Sequence, residues 1–162
     1  MRSAPTIEVC WMPRGIQQDL EELARDWEPL EVGGVLAGYW NGQAAIVTDF
    51  VGPGNDAQHH RYTFVPDDEY HVDEIARLYR ESNGATTYLG DWHTHPSGTA
   101  RLSPLDKRTL RRIANAPEAR CPDPLMVLFA GSGHRWGTQV FTLGATRSLL
   151  PRSIVPVELR IF

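Results

Sequence analysis

Gly90-Asp91-Trp92-His93-Thr94-His95-Pro96, followed after a short gap by Ser103-Pro104-Leu105-Asp106, is the stretch on which the reading of this chain turns. The residues from Thr86 to Trp92 are β-prone and run directly into the histidines. On an extended strand, side chains at i and i+2 share a face, so the His93 and His95 imidazoles can reach one ion. Pro96 ends the strand. Ser103 then opens a helix, with Pro104 at its first position and Asp106 in its first turn. A carboxylate there can swing back toward the histidines. Two neutral imidazoles and one carboxylate form a three-ligand zinc set, which leaves the fourth position of a catalytic site for water.

Each part also has a structural explanation. Ser103 to Asp106 makes a good helix cap, with an acid near the positive end of the helix dipole. A single His-x-His on a strand is common surface sequence. The metal reading comes from the two together, and a cap that fixes where Asp106 points is compatible with ligation. The stretch itself contains no general base to take a proton from the water.

Outward from this centre the chain alternates strands and helices. Ile7 to Trp11 reads as a strand. Ile16, Leu20, Leu23, Ala24 and Trp27 fall on one face of a helix that Pro29 stops. Glu31 to Trp40 is apolar and glycine-rich, and Asn41-Gly42 turns it into a partner strand, Ala44 to Val51. Residues 52–60 read as a polar loop and 61–65 as a strand. Asp67 or Asp68 caps a second helix with Val72, Ile75, Ala76 and Tyr79 facing inward, and Gly84 ends it. After the third helix, carrying Leu110 and Ile113, come strands at Leu125 to Ala130, Trp136 to Leu143 and Ile154 to Ile161. The expected class is α/β (α+β). A mixed, mostly antiparallel sheet is flanked by about three helices, with the zinc site between a strand end and a helix N-terminus.

Composition agrees with one domain over residues 1–162, since 41% hydrophobic and 22% charged residues are ordinary for a globular protein. A net charge of −4 gives no argument for nucleic acid. No apolar run approaches the ~20 residues of a membrane span, and no secretory signal is evident, so the expected location is cytoplasmic. Cys10 and Cys121 form no CxxC pair. They read as two buried thiols in a reducing compartment, with a single disulfide as the alternative.

His93-x-His95, seven residues, Ser103, two residues, Asp106 resembles the JAMM motif of the JAB/MPN metallopeptidases, with no gap in the spacing. Glu31-Val32-Gly33-Gly34-Val35-Leu36-Ala37-Gly38 is similar to that family's glutamate before a glycine-rich strand. The order of elements agrees from about Ile7 to Leu143. The run from Gly90 to Pro96 looks most like the compact bacterial members, some encoded beside ubiquitin-like, E1-like and E2-like proteins, including in antiviral defence operons. The resemblance implies zinc-dependent hydrolysis of peptide or isopeptide bonds at the C-terminus of a ubiquitin-like protein. It implies one Zn2+ with a bound water, held by His93, His95 and Asp106. Glu31 would be the general base and Ser103 a donor to the oxyanion. Read without the resemblance, Glu31 is an exposed acid after Pro29.

Two other readings stand beside this one. His95-Pro96-Ser97-Gly98 is also similar to the motif of the RadC group, associated with DNA repair. Against that stand the Glu31 segment, the charge and the lack of an N-terminal helical DNA-binding domain. A non-catalytic scaffold of the same fold typically loses ligands, whereas every motif position is filled here. Asp91 reads either as an acceptor that orients a ligand or as a solvated strand residue. His59 and His60 read as exposed loop residues, and His71 and His134 have no partner at ligand spacing. Arg101, Lys107, Arg108, Arg111 and Arg112 form a solvated helix face or a substrate patch.

Overall fold

The structure is a computed structural model that describes residues 6–146 and 149–162. Its elements are β1 (Val9–Met12), α1 (Arg14–Trp27), β2 (Gly33–Asn41), β3 (Ala44–Val51), β4 (Gln58–His59), β5 (Phe64–Val65), α2 (Asp68–Glu81), β6 (Thr87–Pro96), α3 (Pro104–Ala114), a 3-10 turn (Pro117–Ala119), β7 (Leu125–Ser132), β8 (Arg135–Leu143) and β9 (Ile154–Ile161). The mixed α/β class, the three α-helices and most element boundaries follow the sequence reading.

The long strands close into a barrel in the order β1-β3-β2-β6-β7-β8-β9, while β4 and β5 pair as a separate hairpin. Antiparallel ladders predominate. The parallel ones are β1 with β3, β1 with β9, and β6 with β7. Closure depends on β1, which lies between β3 and β9 and so joins the first and last strands of the chain.

All seven barrel strands contribute to one core, for example through Met12, Leu36, Val47, Trp92, Val127, Val140 and Val157. Leu20 of α1 packs into it as well. A second core under α3 joins Leu110 to Met126, Leu128 and Leu143. Strand β7 therefore buries both faces, with Leu125, Val127 and Phe129 turned to one core and Met126 and Leu128 to the other. This is why its sequence is a continuous apolar run rather than an alternating one.

Three local expectations are corrected. The strand expected over 61–65 is confined to Phe64–Val65, because Arg61 to Thr63 form the turn that closes on β4, with His60 N–H donating to the Thr63 carbonyl at 2.9 Å. The loop expected over 52–60 contains β4. The face of α2 expected to point inward does so only in part: Ile75 and Ala76 are half-buried, but Val72 is 67% exposed and Tyr79 49%, while His71 is buried. His71 anchors the helix, with its Nε2 2.8 Å from the Gly52 carbonyl. Both cysteines are buried and free.

Candidate active site

Strand alternation does what the sequence implies at β6. His93 and His95 project to one side, and their Nε2 atoms lie 3.2 Å apart. Thr94, between them, points the other way and is fully buried. Ser103 caps α3 in a capping box: its hydroxyl accepts the Asp106 N–H at 3.1 Å, and Asp106 Oδ2 accepts the Ser103 N–H at 2.7 Å. The same carboxylate faces the histidines, with Oδ1 3.1 Å from His93 Nε2 and Oδ2 3.3 Å from His95 Nε2. The cap therefore aims the acid at the imidazoles, and the two explanations of Asp106 are one geometry.

The donor set suits a metal ion. One ligand atom from each of His93, His95 and Asp106 lies within 4.8 Å of the others. His95 Nδ1 lies 3.1 Å from the Thr99 carbonyl, an acceptor, so Nδ1 carries a proton and Nε2 is the ring nitrogen turned toward His93 and Asp106. Burial works against ionisation of Asp106, but hydrogen bonds from His93 and His95 prevail and hold its carboxyl far below the usual range. An ionised carboxylate is the form that binds metal.

Glu31 precedes β2, 62 residues before His93 in the chain. It is buried, 8% exposed, not a surface acid. The antiparallel β2–β6 register brings it to the site, since Gly33 lies opposite His93 and Gly34 opposite Trp92. Val32 is tied to Thr94 twice: the Val32 N–H donates to Thr94 Oγ1 at 3.0 Å, and the Thr94 N–H to the Val32 carbonyl at 2.9 Å. Burial raises the Glu31 carboxyl above its ordinary value, and the charges of His93 and His95 offset part of that rise.

One groove runs from this centre. Glu31, His93, His95, Ser103 and Asp106 line it together with Phe64 and Val65 of β5, Val72 and Ile75 of α2, and Leu105, Arg108 and Arg112 of α3. The exposed stripe of α2 is therefore a wall of this groove, and part of the α3 basic patch faces it.

Other candidates fall elsewhere. Asp91 is half-buried and accepts the Tyr88 hydroxyl at 2.6 Å rather than a bond from a histidine. Burial pushes its carboxyl up, although the Tyr88 bond pulls the other way. His134 and His60 are exposed, and neither they nor His71 join the triad. His59, expected to be exposed, is partly buried, and its ring stacks on Trp27 with centroids 3.4 Å apart. Thr94 was not singled out in the sequence, although a polar residue at an inward strand position is a readable signal. Nothing near His59 in the sequence marks it.

A fold and site of this kind define a class: a barrel-based α/β hydrolase of the JAMM type. Residues 13–141 match the family described as prokaryotic homologs of the JAB domain, and the chain belongs to that family. It is 39% identical over 131 residues to the probable metalloprotease y4qB of Sinorhizobium fredii, with 80% of each chain covered. It is 31% identical over 106 residues to a CD-NTase/cGAS isopeptidase of Escherichia coli and 29% to one of Vibrio cholerae, with 65% of each chain covered in both cases. The solution structure of protein DSY2949 from Desulfitobacterium hafniense shares the fold, with a TM-score of 0.69 at 19% identity over 95% of this chain and 92% of that one. No helix among the described residues is long and apolar enough to cross a membrane.

Proposed function

We propose that this protein is a zinc-dependent peptidase that hydrolyses the peptide or isopeptide bond at the C-terminus of a ubiquitin-like protein. The observation that carries the reading is the convergence of His93, His95 and Asp106 within 4.8 Å, in one groove with buried Glu31. The relatives named as metalloprotease and isopeptidase support it. Those named CD-NTase/cGAS isopeptidase agree with an isopeptide substrate, and the proposal extends to E1-like and E2-like partners in antiviral defence.

His93, His95 and Asp106 would hold the ion. Zinc, when bound, supplies Lewis acidity that polarises a carbonyl and acidifies a water. Glu31 takes the proton of the attacking water as its oxygen bonds to the carbonyl carbon. It returns that proton to the nitrogen as the C–N bond breaks, so the amine leaves neutral. A carboxyl raised by burial suits a group that must both accept and release a proton. Ser103 accepts the Asp106 N–H through its oxygen, which leaves its own O–H free to donate to the oxyanion. The groove takes an extended tail, with Val72 and Ile75 of α2 and Arg108 and Arg112 of α3 among the residues that line it.

The test is cleavage of a ubiquitin-like protein fused to a C-terminal cargo. Wild type should cleave. Glu31→Gln and chelated enzyme should not, and added zinc should restore only the latter. Cleavage at full rate by a chelated, metal-free preparation would falsify the mechanism.

A further inference from the structure

Glu31 belongs to no strand or helix; it sits in the connection between α1 and β2. On its C-terminal side Val32 is bound to Thr94, as described. Glu31 itself is held from elsewhere, by the β4–β5 hairpin. Its N–H donates to the His60 carbonyl at 2.8 Å, and its carbonyl accepts from His59 Nδ1 at 2.9 Å. Both backbone polar groups of the proposed base are thus satisfied by two adjacent residues of one hairpin.

The hairpin is a weak support on its own account. Each strand has two residues, and it pairs with no barrel strand. A two-stranded ribbon of that size is not stable alone. His59 docks it. The imidazole lies flat on Trp27 at the end of α1, with centroids 3.4 Å apart and planes within 7°, and is tilted against Phe64 at 5.3 Å. Because a carbonyl can only accept, the His59 bond to Glu31 requires the proton on Nδ1. His59 is not among the residues lining the groove and is not one of the clustered ligands.

We infer that His59 is a positioning residue for Glu31, coupling the hairpin and α1 to the placement of the base. This rests on Glu31 acting as the base. Reacting groups must be held closely, and a displacement of about 1 Å can cost up to about a hundredfold in rate. His59 never touches substrate, so its loss should appear in kcat and not in KM.

The experiment uses the zinc-loaded full chain and the fusion substrate. His59→Phe keeps an aromatic ring on Trp27 but removes the donor. His59→Asn places an amide N–H near the position of Nδ1, whereas His59→Gln carries its amide one bond further out, and both lose the stack. The expected result is a kcat lowered about tenfold in His59→Phe and His59→Gln and largely restored in His59→Asn. KM, zinc content and melting temperature should be unchanged between the Asn and Gln variants. Placed on Glu31→Gln, the His59→Phe change should lower the residual rate no further, because its effect runs through Glu31. Equal activity of the Asn and Gln variants, or a kcat loss that tracks zinc loss, overturns the inference. Wild-type kcat in His59→Phe beside an inactive Glu31→Gln overturns it alone and leaves the base assignment intact. A fully active Glu31→Gln removes both.

Discussion

Gly33 lies directly opposite His93 in the β2–β6 ladder, and no side chain fits there. A Cβ on Gly33 would stand 2.7 Å from the Trp92 carbonyl oxygen and 2.8 Å from the Phe64 ring. Close approach of β2 to β6 is what brings Glu31, two residues upstream, alongside His93 and His95. The glycine-rich character of this strand is thus a condition for assembling the site.

Gly33→Ala should therefore separate the ladder at the active centre. The Trp92 oxygen is backbone and cannot step aside, so the expected loss is on the order of 1–3 kcal/mol of stability, with a fall in kcat. Gly15→Ala is the contrast. It lies in α1 with nothing within 4 Å of the added carbon, and should gain up to ~1 kcal/mol. Thermal melts and cleavage rates of the two variants check this. A wild-type melt for Gly33→Ala contradicts it.

Ser103 has two separable roles. Ser103→Ala removes the acceptor that caps α3 and should cost about 1 kcal/mol. It also removes the proposed oxyanion donor, which should lower kcat by roughly two to three orders of magnitude. Ser103→Asp restores a capping acceptor without a donor, so stability should recover while kcat stays low. Recovery of both would show that the hydroxyl serves only the cap.

Exposure of the α2 stripe has an energetic consequence. Val72 is 67% exposed, so Val72→Glu should change stability by no more than about 0.5 kcal/mol. Since Val72 also lines the groove, KM for the protein substrate should rise while kcat holds. Steady-state kinetics beside a denaturant titration measures both. An unchanged KM would remove α2 from substrate binding.

Alkaline pH should destabilise the fold through its two thiols. Burial pushes Cys10 and Cys121 from 9.0 up to about 12, with the charges of Asp123 and Asp91 adding to the rise at Cys121. Above pH ~9 the unfolded chain loses these protons and the folded chain keeps them, so stability falls as pH rises between about 9 and 12. Below ~9 the contribution is complete. The slope is at most about 1.4 kcal/mol per pH unit per thiol. Urea titrations at several alkaline pH values should show it, and Cys10→Val should remove its share. An equal slope in a Cys10→Val, Cys121→Val protein would point to other groups.

Much of this fold is written in local sequence. The Asn41-Gly42 turn, the Ser103 cap and the bounds of Ala44–Val51 and Ile154–Ile161 depend on neighbours a few residues apart. Periodicity alone put His93 and His95 on one face. The stripe on α2 misled for the same reason. An apolar face announces that something will cover it, but not whether the cover comes from its own domain.

The sequence by itself determined the strand, the two imidazoles on one side of it and the capped helix that aims Asp106, because each follows from residues in covalent proximity. Only the tertiary structure decided that β1 closes the barrel between β3 and β9, that Glu31 is buried beside His93 and His95, and that His59 and Thr94 hold that segment in place. The His59–Glu31 and Val32–Thr94 contacts join residues 28 and 62 apart in the chain, and β1 meets β9 across almost the whole sequence. Their register is set by ladder pairing, close glycine packing and core burial acting together, and no short window of sequence contains that sum.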